Sequence, residues 1–284
     1  MFKKRLFILA MFIFATSAFA ASGKNSIQIK GSDTMVNLGQ AWAEKYMQDN
    51  PTEFVAVTGG GSGTGIAALI NSTCDIAECS RSMKKEEITL AEGKGVRPVE
   101  HIVGLDGIAV VVNPHNPVGK LTLEQLRGIF MGTIKNWKEV AGEDKKIVLL
   151  SREVNSGTHV FFKEHVLRRG IEKGPEEFAS DALLMPSSQA IADEAAGNAN
   201  AIGYYGMGYI SPKQKVIAVA KDEKSEYIAP TTENVLSRKY PISRPLFLYT
   251  NGEPEGLVKK FVDFVLSKKG QEIVLKIDFV PIKK

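Results

Sequence analysis

The sequence predicts an α/β protein in which a mostly parallel sheet carries helices on its faces. Short apolar segments with the composition of strands alternate along the chain with segments of helical periodicity, which is typical of βα units. The chain of 284 residues is long enough for two domains of roughly 100–200 residues each. We therefore predict a molecule of two lobes.

The first part of the chain repeats one local pattern. A strand predicted over 26–30 ends in the turn 31–34, and a helix predicted over 36–46 follows. The strand predicted over 54–57 likewise runs into a glycine-rich turn at 59–65 that opens a helix. This strand–turn–helix order is what successive βα units of a parallel sheet produce.

The pattern changes in the middle of the chain. A β-rich run over 107–113 carries the chain towards a second lobe, and a strand predicted over 245–249 returns it to the first. Two such crossings create a hinge between the lobes. The predicted division is lobe I at 21–106 and 246–284, and lobe II at 107–245.

The first twenty residues have the composition of a secretory leader. Basic residues at 3–5 precede an apolar run over 6–14, and Ala18 and Ala20 give the small-residue cleavage motif. The run is shorter than the roughly 20 residues that cross a bilayer, and no cysteine near the cut offers a lipid anchor. We therefore expect residues 1–20 to be a cleaved signal peptide and the mature protein to be periplasmic.

The mature chain is nearly neutral. Without the leader, Lys and Arg fall from 36 to 33 against 32 acidic residues, and no basic cluster of the kind that binds nucleic acid remains. Cys74 and Cys79 could form a disulfide in an exported protein or could be separate core thiols, and their spacing does not decide between these. No Cys/His spacing suits a zinc site, so we expect neither a metal nor a cofactor.

Four turns share one design, in which small hydroxyl or glycine residues follow a strand and usually open a helix. They lie at 31–34, 59–65, 80–82 and 156–158. Ligands of open α/β sheets bind at the carboxyl ends of strands, and the free N–H groups of helix starts favour anions. With Arg81 and Arg152 beside two of the turns, the pattern predicts a small tetrahedral oxyanion. Taken singly, the hydroxyl residues at 31–34 and 156–158 could be helix N-caps, the glycine run a flexible strand-to-helix turn, and each arginine a partner in a surface salt bridge. The prediction therefore depends on the coincidence of these features.

The parts of common nucleotide and hydrolase sites are missing. The glycine-rich turn has Ile66 and Ala67 where a Walker A loop needs Lys and Ser or Thr, and it does not complete G-x-G-x-x-G. It does not match G-x-S-x-G either, and no histidine is placed to activate Ser62. We therefore expect a binding protein and not an enzyme, with a secreted phosphate-ester hydrolase as the less favoured alternative.

Six longer segments give the pattern a family likeness: GSDTMVNLGQAWAEKY, VTGGGSGTGIAALINSTCDIAECSRSM, IFMGTIKNWKEV, SREVNSGTHVFF, NANAIGYYGMGY and YPISRPLFLYTNG. With these segments in order, the sequence resembles the phosphate-binding subunit of the bacterial phosphate ABC importer, of the type II periplasmic binding protein family. The resemblance covers nearly the whole mature chain. It implies high-affinity binding of inorganic phosphate and its delivery, by closure of the cleft, to the importer's transmembrane permease. We expect the binding protein itself to be a monomer.

The resemblance also implies roles for single residues. Hydrogen-bond donors to phosphate would be Ser32, Thr34 and Ser62 in the first lobe and Ser156, Gly157 and Thr158 in the second, with Arg152 as the charged contact. Some members have an aspartate that accepts the phosphate proton where this chain has Arg81, which we expect to be a second cationic contact. Asp33 is the nearest candidate acceptor, unless it caps the following helix. The alternative ligands, sulfate, molybdate and tungstate, need no proton acceptor.

Overall fold

The computed structural model describes residues 25–282, so the predicted signal peptide at 1–20 lies outside the described residues. The strands are β1 Ser26–Gly31, β2 Phe54–Thr58, β3 Ile76–Cys79, β4 Pro98–Val112, β5 Lys120–Thr122, β6 Val148–Arg152, β7 Leu183–Met185, β8 Ala201–Gly206, β9 Lys215–Val216, β10 Ala218–Ala220 and β11 Ser243–Asn251. The α-helices are α1 Val36–Asp49, α2 Ser62–Ile70, α3 Lys85–Gly93, α4 Leu123–Phe130, α5 Gly157–Phe162, α6 Ser188–Gly197, α7 Thr232–Leu236, α8 Gly256–Leu266 and α9 Lys268–Lys276. A π-helical turn at Lys163–Leu167 continues α5. Within residues 25–282 no helix combines the length and apolar character needed to cross a membrane.

One sheet runs through the molecule in the order β2-β1-β3-β11-β4-β8-β6-β7, with β9 also paired to β4. β1 is parallel to β2 and β3, and β6 is parallel to β7 and β8. β11 and β4 are antiparallel to their neighbours at the centre of the sheet. The α/β class is therefore confirmed, with antiparallel pairing confined to the centre.

The strand β4 takes part in both ends of this sheet. Its residues 98–107 pair with β11, whereas residues 108–112 pair with β8. We call the part built on β1, β2, β3 and β11 the first lobe, and the part built on β6, β7 and β8 the second lobe. The sequence predicted this strand only from residue 107, because Glu100 and His101 interrupt the apolar pattern before it.

Aromatic residues anchor the helices of each lobe. In the first lobe, the buried Trp42 indole donates to the Gly270 carbonyl at 2.8 Å and ties α1 to α9. In the second, the rings of Phe162 and Tyr204 stack with 4.0 Å between centroids. Burial of a ring such as Phe162 stabilises the fold by about 1.5–3 kcal/mol. The Tyr204 hydroxyl lies 2.8 Å from Ser151 Oγ and so holds the end of β6 in place.

The two cysteines are buried and unpaired, so the disulfide alternative is wrong for this structure. The thiols of Cys74 and Cys79 lie 3.9 Å from the carbonyl oxygens of Gly65 and Ser62, respectively. Burial raises the pKa of Cys74 to about 12. Both side chains are therefore small core thiols packed against α2.

Candidate anion-binding site

Five hydroxyl side chains meet in one buried cluster. Ser32 Oγ lies 2.9 Å from Ser80 Oγ, and Ser62 Oγ lies 3.3 Å from the same atom. Thr34 Oγ1 lies 2.7 Å from Thr158 Oγ1, although the two residues are 124 positions apart. All five residues are at most 1% exposed, and we call them the hydroxyl cluster. The structure thus brings together side chains from all four turns.

Glycine is required where the second lobe meets this cluster. A Cβ on Gly157 would lie 2.3 Å from Ser62 Oγ and 2.7 Å from Ser80 Oγ, so any side chain would push the start of α5 away. On the facing side, Gly61 has a φ of +89°, and a Cβ there would lie 2.8 Å from the carbonyl oxygen of Asn155. These two glycines allow the first turns of α2 and α5 to come into contact.

The turns differ in whether they cap a helix. Ser156 is the N-cap of α5, and its Oγ accepts from the backbone N–H groups of Thr158 at 3.2 Å and His159 at 3.4 Å. Its hydroxyl proton stays available, because accepting uses only the lone pairs. In contrast, the N-cap of α1 is Met35, which makes no side-chain hydrogen bond. The alternative that the side chains of turn 31–34 simply cap α1 is therefore wrong.

Arg152 and Asp33 join the two lobes. Arg152, at the end of β6, is 1% exposed, and its Nη2 donates to Asp33 Oδ2 at 2.7 Å. Its other donors bond Ser188 Oγ at 3.1 Å and the carbonyl of Met185 at 3.2 Å. Asp33 Oδ1 accepts from the N–H of Gly60 at 2.8 Å. Asp33 therefore holds the glycine-rich turn and the buried arginine with its two oxygens, instead of capping α1.

Arg81 does not join the cluster, although the sequence predicted it as the second cationic contact. Its guanidinium forms a two-bond pair with Glu87 of α3, at 2.8 and 2.7 Å, and also donates to the carbonyl of Ser82. Although burial raises the pKa of Glu87, the hydrogen bonds from Arg81 and from the Lys84 N–H, together with the nearby positive charges, hold that pKa below its ordinary value. Glu87 thus draws Arg81 towards α3.

A second buried arginine, Arg244, takes the position that Arg81 was expected to fill. Its Nε and Nη2 donate to Asp106 Oδ2 at 3.0 and 2.8 Å. Its Nη1 donates to the carbonyl of Ser80 at 2.7 Å, and Nη2 donates to Thr158 Oγ1 at 2.8 Å. Burial raises the pKa of Asp106, and the facing guanidinium opposes that shift. The sequence held one signal for this residue, the segment YPISRPLFLYTNG of the family likeness, but the strand predicted within it covered 245–249 and no site role was assigned to Arg244.

Glu78 is the third carboxyl group near the cluster, and it has no cation. It lies in β3 directly before Cys79, is fully buried, and neither of its oxygens has a hydrogen-bond partner among the described residues. Burial, with a smaller contribution from the charge of Asp33, raises its pKa to about 8. Burial therefore favours the protonated, uncharged form of Glu78.

Further contacts close the two lobes over the cluster. Asn155 of the second lobe donates from Nδ2 to the Gly60 carbonyl at 2.9 Å, and its own carbonyl accepts from Gly63 at 2.9 Å. The Tyr209 hydroxyl donates to the backbone carbonyl of Asp33 at 2.6 Å. These contacts hold the two lobes together in a closed arrangement.

This arrangement suits an anion with several oxygens. Hydroxyl groups can donate to any acceptor placed among them. The Arg244 guanidinium donates to the cluster hydroxyl of Thr158, and the Arg152 guanidinium pairs with Asp33, which lies between two cluster residues in the sequence. The two neighbouring aspartates already accept from arginine or backbone N–H groups. A buried anion is tolerated only where most of its oxygens find donors, and this site supplies them from two sides.

Comparisons with known proteins identify relatives of this chain. Residues 18–269 match the family model described as the PBP superfamily domain. The chain is 32% identical over 280 residues to the phosphate-binding protein PstS of Pseudomonas aeruginosa, covering 92% of this chain and 85% of the relative. It is 35% identical to the phosphate-binding protein PstS of Bacillus subtilis, covering 92% of this chain and 82% of the relative.

Solved structures give the same likeness. A putative phosphate ABC transporter substrate-binding protein with bound phosphate, from Clostridium perfringens, superposes with a TM-score of 0.81. It is 34% identical and covers 91% of this chain and 100% of its own. An ABC-type phosphate transport receptor from Vibrio cholerae has a TM-score of 0.70 at 31% identity, over 89% of this chain and 99% of its own.

Proposed function

We propose the function of this chain from its family. The chain belongs to the substrate-binding proteins of phosphate ABC transporters, within the PBP superfamily. The chain binds inorganic phosphate outside the cytoplasmic membrane and presents it to the permease of an ABC importer. The observation that carries this proposal is the hydroxyl cluster, because its members come from both lobes and are at most 1% exposed. The leader predicted at 1–20 supports export.

The proposed contacts follow from the donors at the cluster. Ser32, Thr34 and Ser62 donate from the first lobe, and Ser156, Thr158 and the backbone N–H of Gly157 donate from the second. Arg152 supplies the charged contact, as its buried position at the end of β6 allows. Arg81 is left out of the set, since its hydrogen bonds go to Glu87 of α3 and to the Ser82 carbonyl, whereas Arg152 pairs with Asp33 beside the cluster.

Binding and closure are coupled in this proposal. A phosphate placed in the cluster exchanges the hydroxyl–hydroxyl bond of Thr34 and Thr158 for bonds to its own oxygens. Because these donors belong to different lobes, they all reach the anion only when the lobes are closed, so phosphate selects the closed state. The closed shape is then the one that the permease recognises. We place the lobe boundaries near residue 107, where β4 changes its partner from β11 to β8, and near residue 245, where the chain re-enters the first lobe in β11.

Asp33 is proposed as the acceptor for the phosphate proton. Its Oδ1 and Oδ2 each accept one hydrogen bond, from Gly60 and Arg152, and each carboxylate oxygen can accept a second. Sulfate carries no proton at neutral pH, so its oxygen would meet the Asp33 carboxylate without a hydrogen bond and be repelled. Asp33 therefore favours phosphate over sulfate.

Calorimetric titration of phosphate-stripped protein tests this function. We expect saturable binding of phosphate with one site per chain, and at least about tenfold weaker binding of sulfate and molybdate at neutral pH. Equal affinity for all three anions would remove the role of Asp33 as a proton acceptor. Absence of phosphate binding would overturn the proposed function.

A further inference from the structure

Arg244 touches both lobes at the hydroxyl cluster. It lies at the start of β11, and its side chain is 1% exposed. Nη1 donates to the carbonyl oxygen of Ser80, which follows β3 in the first lobe, and Nη2 donates to the hydroxyl of Thr158 in α5 of the second lobe. A single planar group therefore links a backbone atom of one lobe to a cluster hydroxyl of the other.

The contact with Thr158 determines what this hydroxyl can do. A threonine hydroxyl has one proton and two lone pairs, whereas a guanidinium group has only donors. Thr158 Oγ1 must therefore accept from Arg244, which leaves its proton and one lone pair for a partner in the cluster. In this structure that partner is Thr34 Oγ1 at 2.7 Å, where either hydroxyl can donate. A phosphate oxygen without a proton only accepts, so towards such an oxygen Thr158 must donate. A charge-assisted bond to an oxygen also makes its proton a better donor.

Asp106 holds the guanidinium in this orientation. Asp106 and Arg244 are directly opposite each other in the pairing of β4 with β11, and Asp106 Oδ2 accepts two of the arginine's hydrogen bonds. Asp106 Oδ1 in turn accepts from the N–H of Met207 at 3.0 Å. A Cβ on Gly206 would lie within 3.0 Å of both carboxylate oxygens, so the chain leaves room for them there. The orientation of Arg244 is thus fixed by the sheet.

We propose that Arg244, held by Asp106, is a positioning residue for the anion, which fixes the Thr158 hydroxyl as a hydrogen-bond donor towards bound phosphate. This inference rests on the proposed function and deepens it. A lysine at this position keeps the charge, but its single ammonium group cannot reproduce the fork that reaches Asp106, Ser80 and Thr158 together. Arg244→Lys therefore separates the geometry of the contact from its charge.

A double-mutant cycle on phosphate affinity tests the inference. The variants are Arg244→Lys, Thr158→Val and the double variant, each titrated with phosphate by calorimetry. We expect Arg244→Lys to weaken binding about tenfold in the wild-type background. In the Thr158→Val background the same change should cost less than about threefold, because the hydroxyl that it positions is gone.

Control variants distinguish a specific effect of Arg244 on phosphate binding from a general effect on the structure. Arg127→Lys alters another partly buried arginine, which pairs with Glu176 at 3.2 Å and makes no hydrogen bond to the cluster, and it should leave affinity unchanged. If Arg244→Lys fails to fold, the neutral pair Asp106→Asn with Arg244→Gln replaces it in the cycle. A loss that is equal in the wild-type and Thr158→Val backgrounds, or no loss at all, would overturn the role of Arg244 while wild-type binding stands. No phosphate binding by the wild type would overturn the proposed function and this inference with it.

Discussion

The molecule has two buried arginine–aspartate pairs at its site, and they differ in what they connect. Arg152 and Asp33 belong to different lobes, and the Asp33 side chain keeps 15% of its surface exposed. Arg244 and Asp106 face each other across neighbouring strands and are 1% and 0% exposed. The first pair can separate when the lobes open, whereas the second cannot separate unless β4 and β11 unpair. An arginine–aspartate ion pair is therefore a movable contact between the lobes in one place and a fixed contact within the sheet in the other.

The largest expected effect is on the fixed pair. Asp106→Ala should lower the free energy of unfolding by about 3–5 kcal/mol, because it leaves the Arg244 charge buried without its partner. Urea unfolding followed by circular dichroism measures this. Asp144→Ala, which removes an exposed partner of Lys138, is the control and should leave stability unchanged. Equal free energies of unfolding for the two variants would show that the Asp106–Arg244 pair does not stabilise the fold.

The movable pair should affect ligand binding more than stability. Arg152→Ala should weaken phosphate binding by at least about 2 kcal/mol, since the anion loses its charged partner within a buried site. Calorimetry measures the affinity, and urea unfolding of the same samples measures stability. Arg168→Ala, an arginine paired with Glu177 outside the cluster, is the matched control. Near-wild-type affinity of Arg152→Ala would exclude Arg152 from the site.

Glu78 shows what a carboxyl group near these pairs does without an arginine. Its pKa is raised from 4.5 to about 8 in the folded protein, so between these values the folded state keeps a proton that the unfolded chain releases. The free energy of unfolding should therefore fall as pH rises through this range, by up to about 1.4 kcal/mol per pH unit from this group. Glu78→Gln should remove that decline. Parallel pH–stability curves for the two proteins would show that Glu78 does not hold the proton.

The sequence predicted the parts of the site whose signals are local. The four turns and Arg152 were found because strand ends, glycines and hydroxyl residues lie within a few positions of one another. Arg244 was missed because its contacts are with Asp106, Ser80 and Thr158, which are 138, 164 and 86 positions away. Neither periodicity nor motif spacing can predict contacts between residues that are so far apart in the sequence.

The expectation for Arg81 shows the opposite error. Its neighbour Ser80 does enter the cluster, but the side chain of Arg81 turns to Glu87, six positions further along. Glu87 also accepts from the N–H of Lys84 at the start of α3, so it is fixed where it can hold the arginine. The helix α3 was not predicted, and without it the partner of Arg81 could not be recognised. The prediction assumed that Arg81 lies near the ligand because Ser80, its neighbour in the sequence, lies in a predicted binding turn.

The strand β4 has a consequence for how this architecture can be divided. Its fifteen residues give one stretch of backbone to the first lobe and the next to the second, with no linker between them. Cutting the chain at this point would remove hydrogen bonds from both ends of the sheet and leave unpaired strand edges that promote aggregation. The two lobes are therefore not modules that could be exchanged or expressed one at a time, and they must fold as a single unit.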